Sequence, residues 1–186
     1  MGVIALPGRR TLILVVAATL VSGFLAGGNL ERAIVTMPAW EQLGADTWAA
    51  FSRRADLGAG LILYPLEALL GAALILSAAI SHALERPHQP AVAWSLGCGV
   101  ICTVAGLALT VKAAPLMLSL RHDPMPTGLP RIFQQFRDWG DIRAAFQIAA
   151  FLAELCALFA LAVGHQRAAE RTASGPGLPP ATKESE

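Results

Sequence analysis

The stretch LGAGLILYPLEALLGAALILSAAI, Leu57 to Ile80, decides how this chain is read. It is apolar throughout except for Tyr64, Ser77 and one charged residue, Glu67. The hydrocarbon core of a bilayer is about 30 Å thick and a helix rises about 1.5 Å per residue, so about 17–25 apolar residues cross it. Backbone N–H and C=O groups in lipid must be satisfied within the segment, which makes such a run a helix. Three more runs of this kind surround it, from Leu12 to about Gly28, from Ala91 to Val111 and from Ala144 to Gly164. The sequence therefore predicts an all-α protein. Residues 1–171 form a four-transmembrane-helix antiparallel bundle, and the Pro-, Gly-, Ser- and charge-rich tail from Thr172 to Glu186 is disordered.

Composition points the same way. Of 186 residues, 55% are hydrophobic and only 15% charged, where a soluble domain carries about a quarter charged residues. The mean hydropathy is +0.55. A net charge of +1 excludes a strongly basic nucleic-acid binder, which leaves membrane lipid as the general partner. Cys98, Cys102 and Cys156 all lie in apolar runs and form no disulfide framework. Cys98 and Cys102 are one turn apart, but two sulfurs without further ligands make a poor metal site. His82, His88, His122 and His165 all lie away from the middle of a span, and the chain has no phosphate loop, zinc-helix motif or nucleophile elbow. The expectation is a protein with no metal and no cofactor.

The connections are unequal. The link between the second and third runs is short and holds Pro87 and Pro90, whereas about Asn29 to Asp56 and about Lys112 to Arg143 are long. With four spans, the two long loops share one membrane face and both termini the other. Arg9-Arg10 lie against the first span and favour cytoplasmic termini. Ala26-Gly27-Gly28 resemble a signal-cleavage site, but three further spans and a structured segment follow, so the first run is read as a retained helix. Each long loop contains a short amphipathic helix. Asp46 caps one that runs to Arg54, with Trp48 and Phe51 on one face; Pro130 starts another, with Ile132, Phe136 and Trp139 on one face. These aromatics are either interfacial anchors or lids over a pocket between the spans.

Ionisable residues inside spans are costly and face the bundle interior. Glu67 and Glu154 each lie about ten residues in from the long-loop face, roughly 15 Å deep. Asp56, Gly60, Tyr64, Glu67 and Gly71 form one helical stripe, and Arg143, Gln147 and Glu154 another. Facing each other, the stripes make a polar funnel with Arg143 and Lys112 at its mouth and both glutamates at its floor. Pro65 suits a kinked, cavity-lining helix. Each glutamate is either a functional base or a structural acid hydrogen-bonded across helices. Gly23 to Gly27 in the first span, and Gly97, Gly99 and Gly106 in the third, are small-residue surfaces. They pack the bundle internally or, alternatively, form a homo-oligomer.

The polar segment Asn29 to Trp40 after the first span, Ala114-Pro115 beyond the third, and Trp139-Gly140-Asp141-Ile142-Arg143 opening the fourth together resemble the anthrone-oxygenase-like family of small four-helix membrane proteins. The resemblance covers roughly Leu12 to Val163, with Pro38, Trp139 and Arg143 at family-typical positions. Leu116 and Met117 stand where the family often has Asn, and Asp141 and Ile142 where it often has His or Asn. The resemblance implies a multi-pass protein of the bacterial inner membrane. It also implies cofactor-independent oxidation, by dioxygen, of a small apolar aromatic molecule such as an anthrone or quinol. In that reading Glu67 or Glu154 is the base, Arg143 stabilises the phenolate, and Tyr64, Gln147, Lys112, Trp139 and Trp48 surround the substrate. The alternative is a non-enzymatic membrane binding or accessory subunit whose polar stripes hold a lipid or a partner helix.

Overall fold

Each apolar run becomes a helix longer than the run itself. The computed structural model describes residues 8–85, 89–122 and 127–173. Six α-helices account for most of them: α1 (Arg9–Glu31), α2 (Met37–Leu43), α3 (Ala45–Arg54), α4 (Gly60–Leu84), α5 (Pro90–His122) and α6 (Leu129–Ala173). Two π-helical turns, Arg32–Thr36 and Ala55–Ala59, join α1 to α2 and α3 to α4. No strand occurs among the described residues. Four helical segments, Arg9–Leu43, Ala45–Leu84, Pro90–Arg121 and Leu129–Arg167, are long and apolar enough to cross a membrane. Between 17% and 33% of each segment's apolar window is buried within the protein. Phe24, Ile62, Trp94, Ile101 and Phe159 project outward, as lipid-facing side chains do. The chain is an all-helical, multi-pass membrane protein.

The long helices meet in a ring: α1 contacts α4 and α6, and α5 contacts α4 and α6. Small residues allow the close approaches. A Cβ on Gly23 of α1 meets the Phe151 ring of α6 at 3.1 Å, and one on Gly99 of α5 meets Ile75 of α4 at 3.3 Å. Thr11, near the start of α1, donates a hydrogen bond to Ser81 near the end of α4 at 2.9 Å.

The core has two apolar clusters with a polar layer between them. One, near the chain ends, joins Val15, Ala18, Ile75, Val92, Leu96, Ala157 and Leu161. The other joins Met37, Trp40, Trp48, Met117, Leu120, Phe133 and Phe136. This second cluster brings the two regions expected to be long loops onto one end of the protein.

Those regions are more helical than the sequence suggests. The segment expected as a loop from Lys112 to Arg143 is largely helix: α5 continues through Pro115 to His122, and α6 already begins at Leu129. Pro115 removes one backbone bond, but burial of Ala113, Met117 and Leu120 in the second cluster outweighs that loss. The short helix expected from Pro130 is the first part of α6. The helix expected from Asp46 to Arg54 is α3, but Gly44 and not Asp46 stands at its N-cap, no side chain caps it, and Asp46 lies in its first turn; Trp48 is fully buried and Phe51 half exposed. The Phe51 ring still packs on Trp40, with centroids 5.1 Å apart.

Between α2 and α3 the chain breaks at Gly44 (φ 92°, ψ 157°), a conformation that only glycine adopts readily. A Cβ there meets nothing within 4 Å, so the requirement is conformational, not steric. The kink expected from Pro65 falls elsewhere. Pro65 sits within continuous α4, and the non-helical backbone is at Gly58 (φ −90°, ψ −116°) in the preceding π turn. The tail expected to be disordered lies outside the described residues from 174 onward, as does Pro87 in the α4–α5 connection; Thr172 and Ala173 end α6.

Candidate functional site

The end of α1, the π turn before α4 and the middle of α6 converge on a cluster of charged side chains. Arg32 lies just past α1 and reaches Asp56, with Nη2 and Oδ2 2.5 Å apart. Asp56 is buried, as few acids are without a partner. The Tyr64 hydroxyl donates to the other Asp56 oxygen at 3.4 Å, a long bond. Gly60 makes room for that ring, since a Cβ there would stand 2.6 Å from Tyr64 Cε2. Arg143 of α6 lies within electrostatic reach of Arg32, Asp56 and Tyr64.

Aromatic rings wall this cluster. The Arg32 guanidinium lies over Trp40 at 5.4 Å and over Phe136 at 5.5 Å, both within cation–π range. Trp48 packs on Phe133 and Phe136 behind them, at 5.1 and 5.4 Å. Asn29, Arg32, Ala33, Met37, Phe136, Gly140, Asp141, Arg143 and Ala144 bound a narrow cleft of about 10 Å³. Asp141 on its rim is exposed and lies 3.7 Å from Arg137, which also pairs with Glu41. Arg32 Nε and Arg143 Nε are buried without hydrogen-bond partners. Arg32 thus pairs with the buried carboxylate, Arg143 stands within electrostatic reach of it, and the Nε donor of each guanidinium is buried and unused.

Below this cluster, toward the chain ends, Glu154 is 1% exposed and accepts a hydrogen bond from the Ser22 hydroxyl of α1. It lines a cavity of about 30 Å³ among all four long helices, with Ser22, Leu25, Ala68, Gly71, Ala72, Thr103, Leu107, Gln147 and Ala150. That volume suits water-sized occupants, whereas pockets for drug-sized molecules measure about 300–1,000 Å³.

The structure sorts the residues singled out from the sequence. Arg143, Tyr64 and Asp56 come together, and Gln147 and Glu154 share the cavity. Glu67 does not join Glu154: it is half buried on α4 and absent from that cavity's lining. Gly71, one turn further on, occupies the level of Glu154 instead. Helical phase puts Glu67 and Gly71 on one stripe of α4, and the height at which α4 packs decides which of them stands beside Glu154. Lys112 is exposed and lines neither space. Trp139 and Trp48 belong to the second apolar cluster, Trp48 at its centre and Trp139 packed against it.

Sequence reasoning passed over Arg32 and Ser22. Arg32 falls in a stretch taken for loop, and its one signal was its position a single turn beyond the first apolar run. Ser22 is one of several small polar residues in the first span, and nothing local marks it as the partner of an acid far along the chain. Comparison with known proteins finds no matching family model, curated protein or solved structure.

Proposed function

We propose that this protein binds a membrane amphiphile by an anionic oxygen of its head, at the cluster of Arg32 and Arg143. One observation carries the reading: two largely buried arginines stand near a single buried carboxylate that pairs with only one of them, and each keeps a buried, unpartnered Nε donor in a cleft with an aromatic wall. Buried donors without acceptors are costly, and a phenolate or phosphate oxygen supplies the missing acceptor and charge. Leu30, Ile34, Ile142 and Phe146 expose apolar surface beside the cleft, where the rest of an amphiphile would lie in lipid. The cleft admits an oxygen but not a fused ring system, so the apolar body stays outside it.

This reading assumes an antiparallel bundle in the bacterial inner membrane, with both termini cytoplasmic. Arg9 and Arg10 are exposed at the end where Thr11 meets Ser81, in accord with a positively charged inner face. A cysteine introduced near Ser174 in an otherwise cysteine-free background reports the orientation. Protection from an impermeant reagent in intact cells is expected, and ready labelling would reverse the assignment.

A second reading follows the resemblance to the anthrone-oxygenase-like family. A carboxylate, a phenol and an arginine in one cluster are the groups that proton abstraction from an anthrone and stabilisation of its phenolate require. In this variant Asp56 takes the place first given to Glu67. The experiment is a thermal-shift titration of purified protein in detergent with phosphatidylglycerol, phosphatidylcholine and an anthrone, the last also followed for dioxygen uptake. Stabilisation by the anionic lipid or the phenol, lost in Arg143→Gln and partly kept in Arg143→Lys, supports the binding site. Equal responses to both lipids and none to the phenol would overturn it. Dioxygen consumption abolished by Asp56→Asn would favour the enzyme.

A further inference from the structure

The cavity between the long helices takes no part in the reading above, and its chemistry is different. Its polar lining consists of Ser22 from α1, Thr103 from α5, and Gln147 and Glu154 from α6. Apart from the Gln147 amide nitrogen, every heavy polar atom these side chains offer is an oxygen. Glu154 is almost fully buried, and none of the ion pairs among the described residues includes it. Ser22 donates to one carboxyl oxygen, while its own lone pairs remain free to coordinate. Gln147 Oε1 is buried and has no hydrogen-bond partner. A lone acid and an orphaned carbonyl oxygen thus face one small space inside a lipid-embedded protein, where an uncompensated charge is most costly.

Small residues hold that space open. Ala68, Gly71 and Ala72 form the α4 wall, and a Cβ on Gly71 would already touch Val21 at 3.6 Å. Gly106 lets α5 approach α6, since a Cβ there would stand 3.4 Å from Gln147 Cγ. Larger side chains at Ala68, Gly71 or Ala72 would fill the cavity.

We propose that the cavity is a binding site for one small monovalent cation of the sodium class, held by Glu154, Gln147 Oε1 and the hydroxyl oxygens of Ser22 and Thr103. Hard cations take oxygen ligands of this kind. The charge count selects the valence: one carboxylate and one monovalent ion leave the site neutral, whereas a divalent ion would leave a net positive charge in the apolar bundle. About 30 Å³ accommodates a bare ion with a water beside it. With water alone in the cavity Glu154 would be neutralised by a proton, and the response to sodium separates the two occupants.

The test is the unfolding midpoint of the full-length protein in detergent, titrated with NaCl against choline chloride at constant ionic strength. A saturable rise of a few degrees with Na⁺, and none with choline, is expected. Glu154→Gln keeps the shape and an acceptor for Ser22 but removes the charge, and should abolish the rise. Gln147→Leu should abolish or greatly weaken it, and it decides the matter if Glu154→Gln does not accumulate as folded protein. Asp56→Asn, which alters the arginine cluster, should leave the sodium response in place and so separates this site from the amphiphile site. A wild-type midpoint indifferent to Na⁺, an equal response in Glu154→Gln, or a larger response to Mg²⁺ would overturn the proposal.

Discussion

Replacing Asp56 by Asn removes the carboxylate that pairs with Arg32 and lies within electrostatic reach of Arg143, and changes almost nothing in volume. The Asp56 side chain is 4% exposed and that of Arg32 18%, so their ion pair is largely shielded from water. Exposed pairs contribute about 0–1 kcal/mol, but breaking a buried pair by removing one partner costs about 3–5 kcal/mol, because the other charge stays buried. The partial exposure of Arg32 places the expected loss near the lower end, about 3 kcal/mol. For a chain of this size that corresponds to a fall of roughly 6–12 °C in the unfolding midpoint. Asparagine can still accept from Tyr64, so the loss reports charge and not shape. Thermal unfolding in detergent measures it, and a second substitution identifies its source. With Asp56 neutral, Arg143→Gln relieves the repulsion between the two guanidinium groups, so the double variant should be more stable than Asp56→Asn alone. A midpoint unchanged by Asp56→Asn, or a double variant whose losses simply add, would refute the argument that one acid balances both arginines.

Gly44→Ala should cost about 1–3 kcal/mol, because the backbone there is one that only glycine adopts without strain; chemical denaturation in mild detergent reads this, and a neutral result would mean that the break between α2 and α3 relaxes. Trp48→Ala should cost about 3–5 kcal/mol as a fully buried aromatic lost from the second apolar cluster. Trp48→Phe should cost clearly less, since the indole N–H has no hydrogen-bond partner to lose; comparable midpoints for the two variants would contradict that packing account. Glu67→Gln should change stability by no more than about 0.5 kcal/mol, as half-exposed polar substitutions away from special contacts do. A loss of several degrees would show that Glu67 has a buried partner in the membrane.

The sequence by itself determined the class of this protein, because lipid imposes a constraint that operates locally. A run of apolar residues long enough to cross the bilayer must be a helix wherever it packs, and four such runs occur between Leu12 and Gly164. Helical phase also placed Gln147 with Glu154, which lie in one continuous helix, and Asp56 with Tyr64, which meet across the π turn. What crosses between helices was decided by the tertiary structure alone. The height at which α4 packs against α6 places Gly71 level with Glu154 where Glu67 was expected. Burial of Met117 and Leu120 against Trp48 and Phe133 carries α5 through Pro115. Ser22 and Arg32, far from their partners in the chain, complete the two polar sites. Partner choice among buried polar groups depends on which helices become neighbours and at what height. Those are properties of side-chain packing over the whole bundle, and no single stretch of sequence encodes them.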